Sequence, residues 1–97
     1  MDEKTIEEVV NKHLKQNGYA FDPLTILAII TAAIQLYKFL QECKAAKWVL
    51  KGAAKRKGLA YRFFVQKNFV DKLKELNVPE GDAEAILEEL RQAYVNS

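Results

Sequence analysis

Residues 23–40 read PLTILAIITAAIQLYKFL and contain the longest apolar stretch of the chain. From Leu24 to Ile34 only two threonines interrupt the apolar side chains, and a threonine hydroxyl can bond to the backbone of its own helix. Asp22 is a capping residue, and Pro23 is suited to the first helical position. The stretch therefore predicts a helix that is apolar around its whole circumference and must be covered on several sides.

The apolar residues on either side of this stretch also recur at helical spacing, in segments separated by turn signals. A chain of 97 residues with 49% apolar and 29% charged residues fits one folded domain. We therefore predict a single all-α domain over residues 1–97, with three to four helices, one long central apolar helix and packing in an oligomer. The predicted helices lie near residues 3–16, 23–51, 59–77 and 82–95.

The segment 59–77 has two interpretations. A helix here would direct a broad apolar arc toward the core, with Arg62 and Gln66 inside that arc. The alternation of apolar side chains over residues 61–65 would also fit a short strand. The arc predicted for the helix consists of Leu59, Phe63, Phe69, Val70, Leu73 and Leu76.

Charge is unevenly distributed, although the formal net charge is only +2. Residues 38–67 hold nine Lys and Arg residues against one Glu, and residues 68–97 hold seven acidic residues against three basic ones. The two regions can attract each other within a chain or between copies, and the basic one also suits phosphate. The candidate phosphate- or partner-contacting residues are Lys44, Lys47, Lys51, Lys55, Arg56, Lys57 and Arg62, with Trp48, Tyr61 and Phe64 nearby for stacking.

Catalytic and metal-binding residues are scarce. The single histidine, His13, lies on the apolar stripe of the first helix, where a structural role is expected. The single cysteine, Cys43, lies on an inward stripe, where thiols are usually inert, although Lys44 and Lys47 would favour the thiolate. A His13/Cys43 pair would lack a third orienting group. We predict no enzyme activity, no cofactor, no metal and no small-molecule substrate.

Three functions from different classes remain. The chain could be a non-enzymatic structural subunit of a larger assembly, a single-span membrane-inserting protein, or a small non-specific nucleic-acid-binding module. Residues 24–40 are seventeen in number, at the lower edge of the roughly 20 that a membrane span needs. The residues expected to pack this helix in an oligomer or a membrane are Leu24, Leu27, Ile30, Ile34, Leu36 and Leu40.

The order of the segments adds a further indication. An apolar helix ends in Gln41-Glu42-Cys43, a Lys/Arg-rich segment follows, and a short acidic helix has Glu88-Glu89-Leu90 at its centre. Over residues 24–95 this order resembles small virion-associated proteins of tailed bacteriophages. The resemblance implies a viral structural protein, internal or ejected, in the virion, the host cytoplasm or at a membrane. Its implied partners are copies of itself, other proteins of the assembly, DNA or a membrane. The assembly subunit is the hypothesis that we prefer.

Overall fold

A computed structural model describes residues 1–16, 21–42 and 47–96, without the side chains of residues 15–16 and 47–49. The all-α prediction is confirmed, since these residues form helices and no strand; residues 61–65 are helical as well. Packing in an oligomer stays a prediction. The elements are α1 (Glu3–Gln16), α2 (Pro23–Glu42), α3 (Lys47–Arg56), α4 (Leu59–Val65), a π-helical turn (Gln66–Val70), α5 (Asp71–Glu75) and α6 (Glu80–Val95).

The first two helices begin at aspartate caps. Asp22 Oδ1 accepts a hydrogen bond from the Thr25 backbone N–H at 2.9 Å, as the sequence predicted for α2. Asp2 Oδ1 accepts the corresponding bond from Thr5 at 2.8 Å. These backbone bonds favour the ionised carboxylates and lower the pKa of both aspartates. Local sequence therefore determines where both helices start.

The core lies where α2 packs against α1, α6 and the π-helical turn. One face of α2 is fully buried, with Ile29 and Ala33 at 0% exposure and Leu36 at 2%. The apolar stripes of α1 and α6 are buried as their spacing predicts, including Val10 and Leu90 at 0% exposure. The protein thus covers one side of its most apolar helix by itself.

The helix predicted over residues 23–51 differs from the observed elements. α2 ends at Glu42, α3 begins at Lys47, and the two helices contact each other. One straight helix cannot bring its own two halves into contact, so these are separate elements. Residues 43–46 lie outside the described residues. α3 continues through Gly52 and ends at Arg56, two residues before Gly58.

The end of α3 is a Schellman motif that has a lysine where glycine is usual. The Gly58 N–H donates to the Ala53 carbonyl at 2.8 Å, and the Lys57 N–H donates to the Ala54 carbonyl at 3.3 Å. Lys57 has a φ of 53°, in the left-handed region. A side chain with a Cβ raises the energy of this conformation by about 1 kcal/mol. The chain therefore holds a strained residue at this corner.

The free energy of unfolding of the Lys57→Gly variant is expected to be about 1 kcal/mol higher than that of the Lys57→Ala variant. Both variants lose the weak ion pair between Lys57 Nζ and Glu88 Oε2 at 3.6 Å, and only glycine relieves the backbone. Urea denaturation of the two variants measures the difference directly. Equal stabilities would contradict the left-handed assignment of residue 57.

The π-helical turn decides which residues between α4 and α5 face the core. The Asp71 N–H donates to the Gln66 carbonyl, five residues back, and the Asn68 side chain donates to the Phe64 carbonyl at 2.8 Å. This wider turn holds one additional residue. Residues spaced four apart therefore lie on the same side of the helix across it. Residues at that spacing are indeed all buried: Tyr61, Val65, Phe69 and Leu73.

The apolar arc predicted for residues 59–77 is therefore wrong in its first turns. Phe69 is buried as predicted, but Leu59 is 66% exposed and Phe63 is 71% exposed. Arg62 and Gln66, expected inside the arc, are exposed. The expectation assumed a constant α-helical rotation per residue, which does not hold across a π-helical turn. This turn directs both apolar and charged residues of α4 to the surface.

Candidate interaction surface

Two neighbouring helices carry the large exposed apolar side chains of the described residues, apart from Met1 at the N-terminus. The Phe39 ring on α2 packs against the Phe64 ring on α4, with centroids 5.3 Å apart. This contact brings the outer sides of the two helices together. We call this surface the α2/α4 face; its exposed residues, between 56% and 79% accessible, are Leu24, Leu27, Phe39, Leu59 and Phe63.

The six α2 residues predicted to pack in an oligomer or a membrane divide between two environments. Leu24 and Leu27 are exposed, at 79% and 58%. Ile34 is half-buried against the core. The others, Ile30, Leu36 and Leu40, belong to the core of the chain itself. Only the outer side of α2 is therefore available to a partner in this fold.

By length and composition, α2 could cross a membrane. The core helix of a soluble protein passes the same test, and 39% of the tested window is buried inside the protein. The test is therefore weak support for a membrane location.

The predicted basic residues are spread over α3 and α4. Lys44 lies outside the described residues, and the side chain of Lys47 is not described. Lys51 is half-buried. Lys57 and Arg62 both line a groove beside α6. The exposed members of the set are Lys55, Arg56, Lys57 and Arg62.

The aromatic residues predicted to stack on bases are not exposed where the structure describes their side chains. Tyr61 is only 3% exposed, and Phe64 is half-buried against Phe39. The side chain of Trp48 is not described. Tyr61 therefore cannot stack on a base in this fold. Burial raises the pKa of its hydroxyl well above the usual value.

A groove of about 920 Å³ runs between α4, the π-helical turn and α6. Arg62 lines it from α4, and Glu80 and Glu84 line it from α6, with apolar side chains including Val65 and Val70 between them. Arg62, Glu80 and Glu84 are exposed. Within the described part of the chain, none of these three charges has an ion-pair partner. Opposite charges thus face one groove without meeting.

A buried arginine also lines this groove. Arg91 is 8% exposed and donates from Nε and Nη2 to the two carboxylate oxygens of Glu88, at 2.9 and 2.6 Å. Its Nη1 donates to the Ala54 carbonyl at 3.0 Å. That carbonyl is in the last turn of α3, where a cation is electrostatically favoured. Arg91 therefore ties α6 to the end of α3, and its hydrogen bonds lower the pKa of Glu88 to about 2.

A second ionic contact fixes α1 on α6. His13 Nε2 contacts Glu89 Oε2, and Lys12 Nζ lies 3.2 Å from Glu89 Oε1. The contact places His13 where α1 packs against α6. Cys43 lies outside the described residues. In the ranges that the structure covers, no cluster of three His, Cys, Asp or Glu side chains could hold a metal ion.

Sequence reasoning missed Arg91 and the two glutamates of the groove. Arg91 directly follows Leu90 on the apolar stripe of α6, and a single cation on such a stripe can indicate a buried ion pair. Glu80 and Glu84 are four residues apart, a spacing that places both on one side of a helix. That they line one groove with Arg62 depends on the tertiary placement of α4 and α6, for which the sequence holds no local signal.

Comparison of the chain with protein-family models, with curated proteins and with solved structures finds no match. The function must therefore be inferred from the surface itself.

Proposed function

We propose that this protein is a non-enzymatic assembly subunit that associates with a second copy of itself through the α2/α4 face. The supporting observation is the concentration of large exposed apolar side chains on two adjacent helices that meet at Phe39 and Phe64. Exposed apolar side chains concentrated on one side of a protein can mark an interaction site. A virion component would fit this role, on the resemblance of segment order alone.

The burial of α2 favours this proposal over insertion of that helix into a membrane. Ile29, Ala33 and Leu36 pack in the interior of the chain, and an inserted α2 would have to leave α1 and α6. That change would open the core, whereas docking of a second copy covers the exposed side of α2 and preserves the fold. The basic end of α3, with Lys55 and Arg56 exposed, is the proposed contact for a DNA backbone or an acidic partner.

Phe63→Glu is expected to weaken self-association at least about tenfold, because a carboxylate would be buried in the contact. The monomer should stay folded, since Phe63 is 71% exposed. Sedimentation equilibrium over a concentration series measures the dissociation constant.

Two controls accompany this variant. Phe63→Leu keeps an apolar side chain and should associate almost normally, and Lys72→Glu places a carboxylate on an exposed position of α5 outside the face. Equal association of Phe63→Glu and the unmodified chain would contradict the proposal. A monomeric chain that sediments with vesicles of uncharged lipid, and does so less after Phe63→Glu, would instead show that the face binds a membrane.

A further inference from the structure

The groove between α4 and α6 has walls of opposite charge. Arg62 stands on the α4 wall, and Glu80 and Glu84 stand on the α6 wall. Each is exposed to solvent, and no described residue forms an ion pair with any of them. The groove therefore presents one cationic and one anionic edge to whatever approaches it.

Polar groups beside these three already have partners within the chain. Glu88, one turn along α6 from Glu84, binds Arg91 at 2.6 Å and lies 3.6 Å from Lys57. Gln66, one turn along from Arg62, donates to Asp71 Oδ1 at 2.8 Å. Among the charged residues that line the groove, Arg62, Glu80 and Glu84 are thus the ones left for an incoming surface to meet.

Gly81 makes close approach possible on the acidic wall. It lies in the first turn of α6, and a Cβ added there would meet no atom within 4 Å. Packing inside the chain therefore does not require glycine at this position. A backbone without a side chain lets another molecule come close to the helix between Glu80 and Glu84.

We infer that a second copy of the chain docks across this groove about a two-fold axis, with Arg62 of each copy opposite Glu84 of the other. A two-fold contact pairs the same patch on both copies, so a patch with one basic and one acidic edge is complementary to itself. Phe63, the next residue on α4, lies outside the groove lining, so the same dimer contact extends from the groove over α4 onto the α2/α4 face. The inference rests on the proposed self-association and adds its orientation.

A charge exchange tests the pairing. Arg62→Glu and Glu84→Lys should each weaken dimerisation about tenfold, because like charges would then face each other twice in every dimer. The double variant Arg62→Glu/Glu84→Lys should dimerise within about threefold of the unmodified chain. Matched controls are Lys72→Glu and Glu75→Lys, which reverse exposed charges on α5 outside the groove. These controls should change the dissociation constant less than twofold.

The possible results separate the inference from the proposal on which it rests. A dimer that both single reversals weaken and the double variant restores supports the Arg62–Glu84 contact. A dimer that the reversals leave intact, or that the double variant fails to restore, overturns the contact while self-association stands. A chain that is monomeric before any substitution overturns both. Thermal melts of the single variants verify that each monomer is folded.

Discussion

Ile29→Asp is expected to unfold the chain, whereas Leu27→Asp should leave it folded. Both positions lie on α2, but Ile29 is 0% exposed and Leu27 is 58% exposed. A carboxylate forced into the apolar core without a partner costs several kcal/mol. This cost is comparable with the whole stability of a small domain, about 5–15 kcal/mol. The helical signal in circular dichroism should therefore be lost at position 29 and retained at position 27.

The comparison between the two variants tests whether α2 is a core helix with one exposed side. Both variants introduce an aspartate into the same helix, so the added charge and the helix propensity of the new residue are matched. If Ile29→Asp melted like the unmodified chain, α2 would not belong to the core of the monomer. If Leu27→Asp also unfolded the chain, the outer side of α2 would not be free for a second copy.

Arg91→Met is expected to lower the free energy of unfolding by about 2–3 kcal/mol. The substitution keeps much of the side-chain volume but removes all three hydrogen bonds of the guanidinium, two to Glu88 and one to the carbonyl of Ala54. Ala54 is 0% exposed, so its carbonyl loses a partner in the interior. Arg91→Lys keeps the charge but not the paired geometry, and its stability should lie between the other two.

The same variant should change how stability depends on pH. In the folded chain Arg91 lowers the pKa of Glu88 from the ordinary value of 4.5 to about 2. A lowered carboxylate pKa stabilises the fold above pH 4.5, and this contribution is lost as the pH falls from 4.5 toward 2. Arg91→Met should therefore lose less stability across this window than the unmodified chain. Urea denaturation at several pH values measures this loss. If the free energy of unfolding fell equally in both proteins between pH 4.5 and 2, the role of Arg91 would be contradicted.

The parts of the fold that follow from local signals were predictable from the sequence. Asp22 and Pro23 predict the start of α2, and the spacing of Ile6, Val10 and Leu14 predicts the buried side of α1. A capping bond needs residues only three apart, and a stripe needs a regular helix. Both conditions are met within a single element.

Features that depend on tertiary packing were not predictable. The side chains of α2 are apolar on all sides, so hydropathy does not distinguish Leu27 on its exposed side from Ile29 in the core. The π-helical turn has no compositional signal, yet it moves Arg62 and Phe63 from the expected core to the surface. The groove is formed by residues of α4, the π-helical turn and α6, which only the tertiary fold brings together. The exposure of these residues and their arrangement on one surface could therefore be determined only from the structure.

The central claim is that this chain associates with itself as a folded subunit. The most direct test is light scattering coupled to size-exclusion chromatography, in detergent-free buffer and over a series of loading concentrations. The account predicts a soluble species that approaches twice the chain mass of 11.1 kDa as the concentration rises. A mass that stays at 11.1 kDa at every concentration would contradict it.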